Sequence, residues 1–350
     1  MSNSISANGF NAAVGTVGRL AEGAAQIKAH LDQLTEQSST GLVSQTFGGL
    51  GVLSKVSLDL RPQIARADAF QQNITDSNSK IDVTSSVLDQ LNQIATSFYS
   101  SLNGVAVQTA DGVAAIGNQA NAALTQVQAL LNTKLGPNYL LAGADSANPP
   151  LPDTNFTTYV QSIKTSAQGL TSTSGAATAA ATLSVAATQS PFAATLGTTA
   201  AQVPVDDGVS VPVGVVVGQN AAGPQTGAST TGSYVRDLVR ALATVGTFTS
   251  ATPALGQGFS DLLADTRTSL QSSMTAISAD QSQLGVSKQT LATYSSGVTA
   301  QKATLTTQVS SVENVDAAAT ISALTATQTQ LAESYKLISM AQSLSLVSYL

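Results

Sequence analysis

The sequence predicts a mainly α fold with a β-rich insertion: long N- and C-terminal helices pack as a coiled-coil-like bundle. Three observations predict it. Apolar residues recur at seven-residue spacing in both halves of the chain. Glycine and proline clusters cut those rows into separate helices. Between the rows, residues 145–235 are rich in Thr, Ser, Ala, Gly and Pro, and nearly free of charge.

The first helix is read from Phe10, Ala13, Val17, Leu20, Ala24, Ile27, Leu31 and Leu34, which alternate steps of three and four. It ends at Thr40-Gly41, and Gly48-Gly49-Leu50-Gly51 marks a break. A second helix is expected from Arg61-Pro62, because proline suits a first helical turn. Its rows are Leu60, Ala67, Ile74, Ile81, Leu88 and Ala95, with Phe70, Leu91 and Phe98 beside them. Asn103-Gly104 stops it. A third helix carries Ile116, Ala120, Ala123, Val127 and Leu130 on one face and ends by Gly136-Pro137.

In the middle, Val203-Pro204-Val205 and Val209-Ser210-Val211 flank Asp206-Asp207-Gly208, which reads as two strands around a turn. Further on, Leu263, Leu270, Ile277, Leu284, Leu291, Val298, Leu305 and Val312 form an unbroken seven-residue row. A straight helix of that span is about 75 Å long, which suits a rod packed along other rods. Gly285 and Gly297 are where it is expected to bend or break. The last helix carries Ile321, Leu324, Leu331, Tyr335 and Ile338, and a second stripe of Leu337, Met340, Leu344 and Val347. Two apolar faces call for more than one neighbour. Pairing the two ends of the chain brings both termini to one end of a rod, with the insertion at the other.

Composition narrows the function classes. The chain has 350 residues, a net charge of −6, 10% charged residues and 4% aromatics. An ordinary soluble domain carries about 25% charged residues. There is no Cys, which removes thiolate chemistry and disulfides, and one His, His30. The acidic balance argues against a nucleic-acid partner. No apolar run reaches a membrane span. The first 18 residues hold no Lys or Arg and no apolar stretch, so no cleaved signal peptide is expected.

Candidate chemistry has plain structural readings beside it. His30 follows Gln26 and precedes Asp32, and reads as a polar-face residue rather than a proton shuttle. Asp206 and Asp207 read as turn residues rather than a carboxylate pair or a calcium site. Glu313 and Asp316 read as a cap or junction rather than a hydrolytic pair, with Ser310, Ser311 and Asn314 around them. Asn73-Ile74-Thr75 and Asn155-Phe156-Thr157 match the glycosylation triplet. No cofactor, metal or catalytic residue is expected.

Three segments carry a family likeness. Leu31 to Gly41 reads Leu-Asp-Gln-Leu-Thr-Glu-Gln-Ser-Ser-Thr-Gly, Gly136 to Gly143 reads Gly-Pro-Asn-Tyr-Leu-Leu-Ala-Gly, and the C-terminal run passes through Val312-Glu313-Asn314-Val315-Asp316 and Leu324-Thr325-Ala326-Thr327-Gln328 to Leu344-Ser345-Leu346-Val347-Ser348-Tyr349-Leu350. By these the chain resembles the bacterial flagellin superfamily, and within it the hook-associated protein 3 branch, the hook–filament junction proteins. The likeness implies a flagellin-like fold in five segments: 1–45 an N-terminal assembly helix, 46–144 and 236–312 the two parts of a helical rod domain, 145–235 a β-rich variable domain, and 313–350 a C-terminal assembly helix.

The likeness also implies a structural subunit, not an enzyme. It would join hook to filament through coupled folding and assembly of its terminal helices. Type III export would place it in the extracellular flagellum. The implied partners are copies of itself, a neighbouring hook-associated protein, flagellin, and a cytoplasmic export chaperone at the C-terminal helix, with no nucleic acid and no membrane span. The residues expected to pack in assembly are Val17, Leu20, Ile27, Leu31, Leu34, Leu324, Leu331, Tyr335, Ile338, Leu344 and Leu350. Two alternatives stay open: a flagellin forming the filament itself, and a secreted surface adhesin whose middle grips a ligand. A secreted hydrolase would need a polar pocket.

Overall fold

The heptad rows fold as helices in the computed structural model, which describes residues 7–143, 145–220 and 227–347. Eight helices are formed among them. They are α1 (Ala7–Thr40), α2 (Ser54–Asn103), α3 (Ala110–Leu131), α4 (Asp153–Ala167), α5 (Gly175–Thr188), α6 (Tyr234–Val245), α7 (Gln257–Glu313) and α8 (Ala317–Val347). Two small antiparallel hairpins accompany them: β1 (Lys134–Leu135) with β2 (Asn138–Tyr139), and β3 (Gln202–Asp206) with β4 (Val209–Pro212). A 3-10 turn, Phe47–Leu53, links α1 to α2.

The chain divides into two compact units. Met1–Asp68 and Ala300–Leu350 form a terminal unit, and Ala69–Thr299 a middle unit.

In the middle unit, α2 and α7 lie antiparallel, their register marked by polar pairs. Gln71 Nε2 donates to Ser295 Oγ at 2.9 Å, Lys288 pairs with Asp82 at 2.6 Å, and Gln281 donates to Asp89 at 2.6 Å. The predicted rows run along the same two helices: Ile74, Ile81, Leu88 and Ala95 on α2, and Leu263, Leu270, Ile277, Leu284 and Leu291 on α7, all buried. The helix runs through Gly285 and Gly297 without a break. The buried leucines flanking Gly285 hold that turn, so its intrinsic cost is overridden by packing.

α3 packs on α6, and α6 also meets α4 and α5. Almost every residue of α6 is buried. A β carbon at Gly117 would lie 2.5 Å from the carbonyl oxygen of Phe248, so glycine permits the close approach of α3 to that loop. Arg240, on α6 and 1% exposed, is neutralised by Asp265 at 2.8 Å and bonds Thr182 and the carbonyl of Ser229. Asp237 accepts from Thr230 Oγ1 at 2.6 Å and the Thr231 amide at 2.8 Å, yet its burial still raises its pKa above the usual carboxylate range.

Two expectations need correction. The second helix starts at Ser54, not at Arg61-Pro62, and Pro62 lies inside it. The missing proline donor costs one helical bond. Tertiary bonds compensate, because Ser57 is buried and both Ser57 and Arg61 bind Glu313. The insertion contains the predicted hairpin, with Val203 opposite Val211 and Gly208 at φ +75°, but also the helices α4 and α5. On α4, Phe156, Tyr159, Val160, Ile163 and Ala167 are buried, a helical spacing masked in the sequence by intervening Thr, Ser and Gln.

Candidate assembly surface

The terminal unit is built around α1 and α8, which pack along each other. Gly41 ends α1 at φ +72°, a conformation that glycine adopts without strain. Leu42 then pairs with Asn314 as an antiparallel bridge. The Val43 amide donates to the Glu313 carbonyl at 2.7 Å, and the Val315 amide to the Gly41 carbonyl at 3.0 Å. This ladder joins the exit of α1 to the entry of α8, so the two helices run antiparallel. Asp316 Oδ1 accepts from the amides of Ala318 at 2.9 Å and Ala319 at 3.1 Å, capping α8. Glu313 and Asp316, read together as a cap or junction, do sit at a junction, and Asp316 is the residue that caps it.

From Val17 on, the predicted row of α1 is turned toward α8; the side chains of Phe10 and Ala13 lie outside the described residues. Ala24 and Leu34 are buried, while Val17, Leu20, Ile27 and Leu31 are half-buried. His30 is exposed. On α8 the inward seam is Thr320, Leu324, Thr327, Leu331, Ser334 and Ile338. Leu324, Leu331 and Ile338 are half-buried there, and Thr320 and Thr327 are buried. Tyr335 lies one residue off this seam and is 53% exposed. The Leu344 side chain and all of Leu350 lie outside the described residues.

Full burial of a Val, Leu or Ile side chain is worth about 1.5–3 kcal/mol. The half-buried seam residues realise only part of that. Of the second stripe, Leu337 is 55% exposed and Met340 53%, and the side chains of Leu344 and Val347 lie outside the described residues. Around the link between α1 and α2, Phe47, Val52, Leu53, Val56 and Leu58 are exposed too, Val52 by 92%. Of the eleven large apolar side chains exposed among the described residues, nine belong to the terminal unit. Exposed large apolar side chains gathered in one unit point to surface that a partner covers.

A polar clamp sits at the base of the two helices. Glu313, the last residue of α7, accepts both arms of the Arg61 fork, at 2.9 Å to Oε1 and 2.6 Å to Oε2, and the Ser57 hydroxyl. The fork geometry is that of a strong bidentate pair. Arg61 first, and then Ser57, holds the Glu313 carboxyl below its usual range. Arg61 also lies over the Phe47 ring, 5.7 Å from its centroid. The sequence reading missed Arg61, Ser57 and the exposed apolar run after Phe47. The cluster Gly48-Gly49-Leu50-Gly51 was the available signal, and it marks only the break.

An open cleft of about 400 Å3 beside α5 is lined by Ala176, Ala179, Ala180 and Leu183, with Asp261 and Asp265 at its edge. Asp265 is engaged by Arg240 and Ser229, and Asp261 accepts from Gln257. Among the described residues no three His, Asp or Glu side chains converge as a metal site, and no helix is long and apolar enough to cross a membrane.

Residues 268–350 match the family model of the bacterial flagellin C-terminal helical region. No curated protein matches the chain significantly. The family match takes in α8 and most of α7, and supports the bacterial flagellin superfamily and a structural subunit that self-assembles into flagellar polymers.

Proposed function

We propose, from the premise of a flagellin-type C-terminal region, that this protein joins hook to filament in the bacterial flagellum. Its terminal helices complete their packing only against neighbouring subunits. The concentration of exposed apolar side chains in the terminal unit supports this reading. A lone α1–α8 pair leaves one stripe half-covered and another open, so a neighbour that covers both offsets the entropy of ordering long helices.

Contacts that run head to tail without closing build a tube or helix. The half-buried Val17, Leu20, Ile27 and Leu31 on one helix and Leu324, Leu331, Tyr335, Ile338, Leu344 and Leu350 on the other are assigned to them, and the buried Leu34 supports them from within the α1–α8 seam. Copies of the chain, an adjoining hook-associated protein and flagellin are the partners. Before export an α8 with two apolar faces needs cover, the task of a cytoplasmic chaperone. The five-segment division and the extracellular location belong to the same proposal.

Deleting the gene tests the junction role. Cells with intact hooks that shed filament subunits into the medium support it. Bare hooks with no shed subunits identify the protein as the filament flagellin instead. Normal filaments overturn both.

A further inference from the structure

We propose that Glu313 is a hinge pin: its ionic clamp to Arg61 and Ser57 keeps the two chain connections at the base of α1 and α8 paired, so that both helices leave as one piece. The proposal stands on the geometry of the terminal unit and is independent of the flagellar reading.

Two short connections meet there. One follows α1 at Gly41–Val43 and the other runs from Glu313 to Val315, and two main-chain bonds join them. Two bonds alone make a weak ladder, since an isolated two-stranded pair is marginal in water. Three side-chain contacts reinforce it. Gln37 Nε2 donates to the Val43 carbonyl at 2.8 Å, from the last turn of α1. Asp316 caps α8 directly after the ladder. Glu313 supplies its carbonyl to Val43 and its carboxylate to Arg61 and Ser57 on α2.

One residue therefore holds both the ladder and the first turns of α2. The Glu313 side chain is 12% exposed, so its carboxylate is largely withdrawn from water and depends on these donors. Arg61, 55% exposed, can be changed without opening a cavity. With the pin in place the ladder closes the base of the α1–α8 seam. Without it the ladder opens there, and the seam alone holds the two helices together.

Amide hydrogen exchange on the full-length monomer tests this at Val43 and Val315. In E313Q both amides should exchange about tenfold faster or more, the scale of losing a charge-assisted hydrogen bond. The amides of Leu88 and Val127 in the middle unit should not change. R61A should reproduce the signature and serves if E313Q folds poorly. The exchanged pair R61E with E313R should restore slow exchange at both positions. Unchanged rates at Val43 and Val315 in both single variants would overturn the proposal. So would acceleration at one amide with the other still protected.

Discussion

The Val43 amide lies 2.7 Å from the carbonyl oxygen of Glu313, which fastens the chain just after α1 to the chain just before α8. The bond sets two helices from opposite ends of the sequence side by side. It also sets which stripes they share and which they leave open.

The open stripe predicts separable effects on folding and assembly. Leu337 and Met340 are more than half exposed, so replacing both by Lys should change monomer stability by about 0.5 kcal/mol or less. Assembly should be blocked, because a buried charge without a partner is costly. Urea unfolding of the monomer and sedimentation of the polymer measure the two effects. Polymers formed normally by the double variant would contradict an assembly role for this face.

The seam between α1 and α8 predicts the reverse. Leu34 is buried, and L34A should destabilise the terminal unit by about 2 kcal/mol or more. Limited proteolysis should then cut residues 17–40 faster while leaving residues 69–299 as resistant as before. Equal resistance of both regions would show that Leu34 carries no packing.

Trimming residues 341–350 should abolish assembly. Protease resistance of the middle unit should survive, since Ala69–Thr299 forms a compact unit of its own. Electron microscopy and a protease time course read the two outcomes.

Glu313 predicts an acid-sensitive terminal unit. Its folded pKa lies below the ordinary value of 4.5, held down by Arg61 and Ser57. Such a group stabilises the fold above its unfolded pKa and loses that contribution as pH falls through the folded value. The stability of the terminal unit should therefore fall from about pH 5 downward. E313Q should be less stable at neutral pH and show a shallower acid limb. Identical slopes in the two proteins would remove Glu313 from the acid response.

In the middle unit, D265A should leave the buried Arg240 charge unpaired and destabilise that unit by about 3–5 kcal/mol. The midpoint of urea unfolding checks this. Removing both charges, as in R240M with D265A, should recover much of the loss.

Much of the helical plan was legible in the sequence because heptads encode it locally. The row from Leu263 to Leu305 is buried as spaced, and the turn at Asp206-Asp207-Gly208 joins the strands read on either side. What failed to show depended on distant partners or on diluted patterns. Pro62 looked like a helix start because its cost is local, while the bonds to Glu313 that support α2 before it come from far along the chain. α5 buries Thr178, Ala179, Thr182 and Ala186, small side chains that give little periodic contrast. Residues of the surface itself were only partly legible. Leu34 and Leu324 fall on the shared seam as spaced, but the outward face of Tyr335 follows from how α8 is rotated against α1.

Far-ultraviolet circular dichroism of the same preparation as monomer and as polymer tests the central claim most directly. Terminal helices that complete their packing only beside neighbours should add helical signal on polymerisation. Equal helicity in the two states would contradict that account.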